Sequence, residues 1–205
     1  MAEQIFPTKG NLIACKKNLS LAKLGFDLLD RKRNVLMREM MKCIDEAAAI
    51  QKEIGDTFVK AYAALQSANI TLGIERALDD LVPEETGFSY SSHSIMGVEL
   101  PTSKLDVRPN YPYYGFLDSN AHLDYAYVCF RRVKELTARL AGIENSVYRL
   151  AMAIKKTQRR ANMLDNVVIP RLDGNIRFIS ATLEEHEREE FTRLKVIKRT
   201  KGQSA

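Results

Sequence analysis

The chain has 205 residues, is 45% hydrophobic and 28% charged, and carries a formal net charge of +5. That balance excludes a chain disordered throughout, and no run of about 18 apolar residues is present to cross a bilayer. Three widely spaced cysteines, Cys15, Cys43 and Cys129, fit no disulfide framework and point to a reducing compartment. MAEQIFPTKG lacks the basic, apolar and small-residue layout of a secretory signal, so a cytoplasmic location is expected.

Pro7 and Gly10 delay the first helix, and either Thr8 or Asn11 can cap it. A seven-residue apolar ladder then begins. Leu12, Leu19, Phe26, Met40, Ala47, Ile54 and Ala61 hold one seam position, with Arg33 as the exception. Cys15, Ala22, Leu29, Leu36, Cys43 and Ile50 hold the other until Thr57 breaks it. Such a repeat keeps a narrow stripe facing a partner helix only in a left-handed supercoil. A helix from Asn11 to about Leu81 is expected, roughly 100 Å long at about 1.5 Å per residue. Gly25, Gly55 and Gly73 fall inside it, each at a cost of about 1 kcal/mol.

Residues 83–118 read as an insert. Pro83, Pro101, Pro109 and Pro112 sit there, and GFSYSSHSIMGVEL alternates roughly in twos, as a small β-hairpin would. An irregular aromatic loop, RPNYPYYGF, follows.

Asp118 or Ser119 is expected to cap a return helix ending near Lys198, with a polar tail at 199–205. Its seam is Ala126, Val133, Leu140, Val147, Ile154, Ala161 and Val168, with Cys129, Leu136, Ile143, Leu150, Thr157 and Leu164 between. Beyond Val168 the spacing changes to Leu172, Ile176, Ile179 and Leu183, just past Pro170. The fold expected is all-α: a long antiparallel two-helix left-handed coiled coil (1–82 and 119–198) with a hairpin-containing insert. In such a pair the position numbers of facing residues sum to a near constant, roughly 200 to 209 from these helix ends. That sum sets Lys16, Lys17 and Lys23 across from Glu184–Glu190, Ala47 near Thr157, and Arg33 at the level of Val168 to Pro170.

No phosphate-binding loop or dinucleotide fingerprint occurs, and His186-Glu187-Arg188-Glu189-Glu190 lacks the second histidine of a metalloprotease. No catalytic residue, metal or cofactor is assigned. Two basic clusters, Arg31-Lys32-Arg33 and Lys155-Lys156 with Arg159-Arg160, suit a positive collar that meets acidic loops of a surrounding protein.

The opening FPTKGNLIACKKNLSLAKLGFDLLDRKRNVLMREM, the run RRANMLDNVVIPRLD at 159–173 and LEEHEREEFTRLKVIK at 183–198 together resemble the D subunit of the V-type and archaeal-type (A/V) rotary ATPases. Ile95-Met96-Gly97-Val98 and Tyr114 to Asn120 add to the likeness, which covers essentially the whole chain. His186, Thr192 and Val196 depart from the family's pattern. The resemblance implies a non-catalytic central rotor shaft, cytoplasmic and peripheral to the membrane. Its termini would lie inside a ring of A and B subunits, with the F subunit on its side and the C (or d) subunit between its foot and the membrane ring. Rotation would couple ATP hydrolysis or synthesis to proton or sodium transport. Arg31, Lys32, Arg33, Arg159, Arg160, Pro170 and Arg171 would meet the catalytic ring, with Pro170 bending the shaft. Ile95, Met96 and Val98 of the hairpin would influence ATPase activity. Leu29, Leu36, Met40, Ile50, Ile54, Leu140, Ile143, Val147, Leu150, Ile154 and Leu164 would form the seam. The competing reading is a coiled-coil scaffold or a chaperone of the prefoldin type, with a nucleic-acid binder third.

Overall fold

The computed structural model describes residues 6–73, 86–106, 114 and 119–202. In chain order these form α1 (Lys9–Leu72), β1 (Phe88–Ile95), β2 (Val98–Leu105), α2 (Ala121–Met163), a π-helical turn (Leu164–Val168) and α3 (Ile169–Gly202). The helical hairpin with a β insert is therefore the observed fold. The chain divides into two compact units, Asn34–Ile154 and the pairing of Met1–Arg33 with Lys155–Ala205.

Helix α1 starts where Thr8 accepts from the Asn11 amide at 3.2 Å, so Thr8, not Asn11, caps it. It ends at Leu72, short of Leu81, because Gly73 adopts a φ of 80° and its amide bonds back to the Asn69 carbonyl. A left-handed glycine at this position is a helix stop, so Gly73 is a terminator and not an interior residue. The expected continuation over 74–82 lies outside the described residues, as do the loop at 108–116 (save Tyr114) and Asp118. Helix α2 is capped by Asn120, whose carbonyl receives the Leu123 and Asp124 amides. Helix α3 runs on to Gly202, past the end expected near Lys198.

In the unit formed by Asn34–Ile154, the seam side chains of α1 and α2 turn inward. Leu36, Ala61 and Leu150 are fully buried, Ile50, Val133 and Leu136 nearly so, and Met40, Ile54, Leu140, Ile143, Val147 and Ile154 are half-buried. Arg132–Glu53 at 2.9 Å and Arg139–Glu46 at 3.6 Å fix the antiparallel register. Where Thr57 interrupts the ladder, Phe58, Tyr62 and Phe130 form an aromatic cluster, Tyr62 and Phe130 edge-to-face at 5.4 Å.

The hairpin lies on this unit through β2. Met96 and Gly97 form its two-residue turn with φ of 51° and 76°, the pattern of a type I′ turn. For a methionine the left-handed backbone costs about 1–2 kcal/mol. Leu100 packs with Leu36 and Leu150, flanked by Ile95 and Val98. The buried Ser103 hydroxyl donates to the Ala138 carbonyl at 2.5 Å, and the buried Ser146 hydroxyl reaches the Pro101 carbonyl at 3.0 Å. Polar groups at this contact are thereby satisfied. Gly142 is the reason the strand can come so close: a Cβ there would stand 2.9 Å from the Ser103 amide nitrogen.

In the other unit, the start of α1 packs against the end of α2, the π turn and α3. Leu29, Ala161, Leu164 and Val168 turn inward, and Leu164 fills the space beside Gly25. The cross-helix ties are Arg33–Gln158 at 2.7 Å and Lys9–Glu187 at 2.9 Å. Facing positions sum to between 185 (Glu53–Arg132) and 196 (Lys9–Glu187), lower than the expected 200 to 209. The reason is the early stop at Leu72, which moves the turn end of the pairing. Lys9, not Lys16, Lys17 or Lys23, therefore meets the acidic run. Glu46–Arg139 likewise places Ala47 well away from the level of Thr157. Helix α3 from Arg188 onward overruns the start of α1, and all its side chains to Thr200 are exposed.

The π turn answers Pro170. In an α-helix the ring of Pro170 would clash with the carbonyl of Asn166. Here the spiral opens, and the Ile169 amide bonds to the Leu164 carbonyl, five residues back. A π turn inserts one residue without changing which face follows. The inward positions after Val168 are accordingly Leu172, Ile176, Ile179 and Leu183, one later than a strict heptad gives. Deleting Asn166 together with Pro170→Ala should leave a continuous α-helix with the same buried face. Thermal unfolding of that variant is expected within about 1 kcal/mol of wild type.

Candidate functional site

The basic residues singled out by sequence converge more than their spacing suggested. Because Arg33 donates to the Gln158 side chain, Arg31, Lys32 and Arg33 sit at the level of Lys155, Lys156, Arg159 and Arg160. They form one band around the unit built from the chain's two ends. Arg33 itself is half-buried: it pairs with Asp30 at 2.5 Å, and its buried Nε has no hydrogen-bond partner among the described residues. It acts as an internal strut of the band. Arg31, Arg159 and Arg160 are exposed and present their charge outward.

The expected coincidence of Arg33 with Pro170 is not found. Arg33 stands level with Gln158, and Pro170 and Arg171 lie further along, just after the π turn. Both are exposed. The two departures from the heptad rule are thus separate features with separate causes. One is a polar side chain tied into the seam, the other a proline relieved by a wider turn.

At the hairpin the structure splits the three candidates. Ile95 and Val98 pack inward on the Leu36, Leu100 and Leu150 cluster, so they anchor the hairpin. Met96 is 52% exposed at the tip. Phe88 and Tyr90, with ring centroids 4.9 Å apart, form an exposed aromatic pair on β1 that sequence reasoning did not single out. Their signal was the two-residue spacing within the strand.

Near the start of α2, Tyr114 donates to Asp124 at 2.6 Å and meets Tyr127 edge-on at 5.8 Å. Burial, then the bond to Asp124, pushes the Tyr114 hydroxyl well above the ordinary tyrosine range. The Cys43 thiol is pushed up by burial, so its seam position makes it an inert packing group. Among the described residues no helix is long and apolar enough to cross a membrane.

Comparison with known proteins agrees over nearly the whole chain. A family model described as the ATP synthase D subunit matches residues 11–199. The V-type ATP synthase D subunit of Thermotoga neapolitana is 47% identical over 196 residues, covering 95% of this chain and 97% of that protein. The A-type ATP synthase D subunit of Methanosphaera stadtmanae is 36% identical over 201 residues, covering 95% and 94%. The corresponding A-type protein of Thermococcus sibiricus is 33% identical over 200 residues, again 95% and 94%. With a helical hairpin, a β insert and a family match over residues 11–199, this chain belongs to the ATP synthase D-subunit family.

Proposed function

We propose that this chain is the central shaft of a V/A-type ATPase, turning within a ring of A and B subunits and coupling ATP hydrolysis or synthesis to ion transport. Membership of the D-subunit family makes it a non-catalytic stalk component of a rotary ATPase. The observation that carries the finer reading is the basic band. Arg31, Arg159 and Arg160 project from one level of the unit that contains both chain ends, as contact with acidic loops of an encircling ring requires. Arg33 holds that level by its tie to Gln158, and exposed Pro170 and Arg171 offer a second contact. The F subunit is the partner for the side of the shaft near the insert, and the C (or d) subunit is the link to the membrane ring. The complex is cytoplasmic and peripheral to the membrane.

Exposed charges are each worth little alone, but several acting together steer assembly. Reversing Arg159 and Arg160 to Glu should weaken capture by an A/B ring about tenfold at low ionic strength, the difference shrinking as salt rises. Binding titrations at two salt concentrations measure this. Unchanged binding at both would remove the band from the interface.

A further inference from the structure

The two edges of the hairpin are treated very differently. β1 and β2 pair without interruption from Ile95↔Val98 to Phe88↔Leu105. The tight turn makes Ile95 and Val98 a hydrogen-bonded pair, and the Asp106 amide bonding to Gly87 at the far end confirms the phase. Residues Ser89, Ser91 and His93 therefore bond inward to β2. Phe88, Tyr90, Ser92 and Ser94 direct their amides and carbonyls away from it. On the β2 side the corresponding edge is closed by α2: Arg149 donates to the Glu99 carbonyl at 3.1 Å, and Ser146 reaches the Pro101 carbonyl. Pro101 has no amide to leave open, and Gly142 brings the helix against the Ser103 amide.

No such closure exists on β1 among the described residues. The strand is eight residues long and exposed at every position but Ile95. It carries no Lys, Arg, Asp, Glu or Pro, and no bulge, which are the usual devices that keep a strand edge from pairing. It also displays Phe88 and Tyr90 as an uncovered aromatic pair beside that edge.

We infer that the free edge of β1 is a docking site for one extended strand of a partner protein in the assembled ATPase, added to the hairpin as a third strand. Its main chain pairs with Phe88, Tyr90, Ser92 and Ser94. An uncharged edge rich in serine selects an uncharged strand, and apolar side chains at alternate positions of that strand cover Phe88 and Tyr90. The inference rests on the chain being a stalk component and adds the mode of contact.

Hydrogen–deuterium exchange on the full chain, alone and within the assembled ATPase, tests it. In the free chain the Tyr90, Ser92 and Ser94 amides should exchange quickly, while Ser91 and His93 stay protected. Assembly should slow the three outward amides by about tenfold or more. Ser92→Pro removes one outward donor without touching the inward ladder. It should abolish the new protection at Tyr90 and Ser94 while Ser91 and His93 keep theirs. Outward amides that stay unprotected in a correctly assembled complex overturn strand addition and leave the stalk reading intact. Protection that grows with concentration in the isolated chain makes the occupant a second copy and overturns the partner assignment. Failure of the chain to enter the complex at all defeats the stalk reading, and the docking proposal with it.

Discussion

Leu150→Ala should lower the unfolding free energy by about 2–5 kcal/mol, the range for truncating a fully buried leucine whose surroundings cannot collapse. Leu150 is placed to produce the upper part of that range. It is completely buried and shares its cluster with Leu36 on α1 and Leu100 on β2, so its side chain serves the helix pair and the hairpin together. Chemical denaturation of wild type, Leu150→Ala, Leu100→Ala and the double variant measures the coupling. The two single losses are expected to depart from additivity by about 0.5 kcal/mol or more, in the way contacting residues do. A Leu150→Ala cost below about 1 kcal/mol would mean the cluster is not packed as described. Met152, two residues on, is 53% exposed, and truncating it should cost far less.

Gly142→Val is the second large effect, and it acts by intrusion. A Cβ at this position meets the Ser103 amide nitrogen at 2.9 Å, and the obstructing atom is strand backbone, which cannot swing aside. The strand must lift, and lifting it breaks the Ser103 bond to Ala138 and strands a buried hydroxyl. A cost of about 1–3 kcal/mol is expected, concentrated in the hairpin. Exchange at the inward amides of β1 and β2 should accelerate while helical circular dichroism is unchanged. Gly174→Ala is the matched control. Gly174 is an exposed glycine on α3 with open space around it, and alanine there should stabilise by up to about 1 kcal/mol. Equal behaviour of the two variants would refute the close approach.

The seam was legible in the sequence because burial on a long helix leaves a period, and the two ladders sampled that period many times. Relative register was not legible. It depends on where α1 stops, and that is decided by one residue: Gly73 can extend a helix or end it, and only its left-handed backbone distinguishes the two. Misplacing that end carried Arg33 to the level of Pro170 when its partner is Gln158. The basic clusters were legible as a positive collar, and the helix register that brings them to one level was not, for the same reason. At the hairpin, alternation marked the strands but not which face the helices cover. That Ile95 and Val98 pack inward and anchor the hairpin is therefore visible only in the structure. The open edge of β1 has no side-chain signature except what is missing from it.

The single inserted residue of the π turn also bears on how this helix can change in length. Elsewhere along a packed seam, gaining or losing one residue turns every later side chain by about 100° and exposes what was buried. Between Leu164 and Val168 that displacement is already absorbed within one turn. A ruler of sevens laid from Ala126 fails after Val168, yet with one step of phase the same buried line continues to Leu183. The turn is thus a joint in the helix's numbering, where one residue can come or go and both flanking segments keep their inward faces.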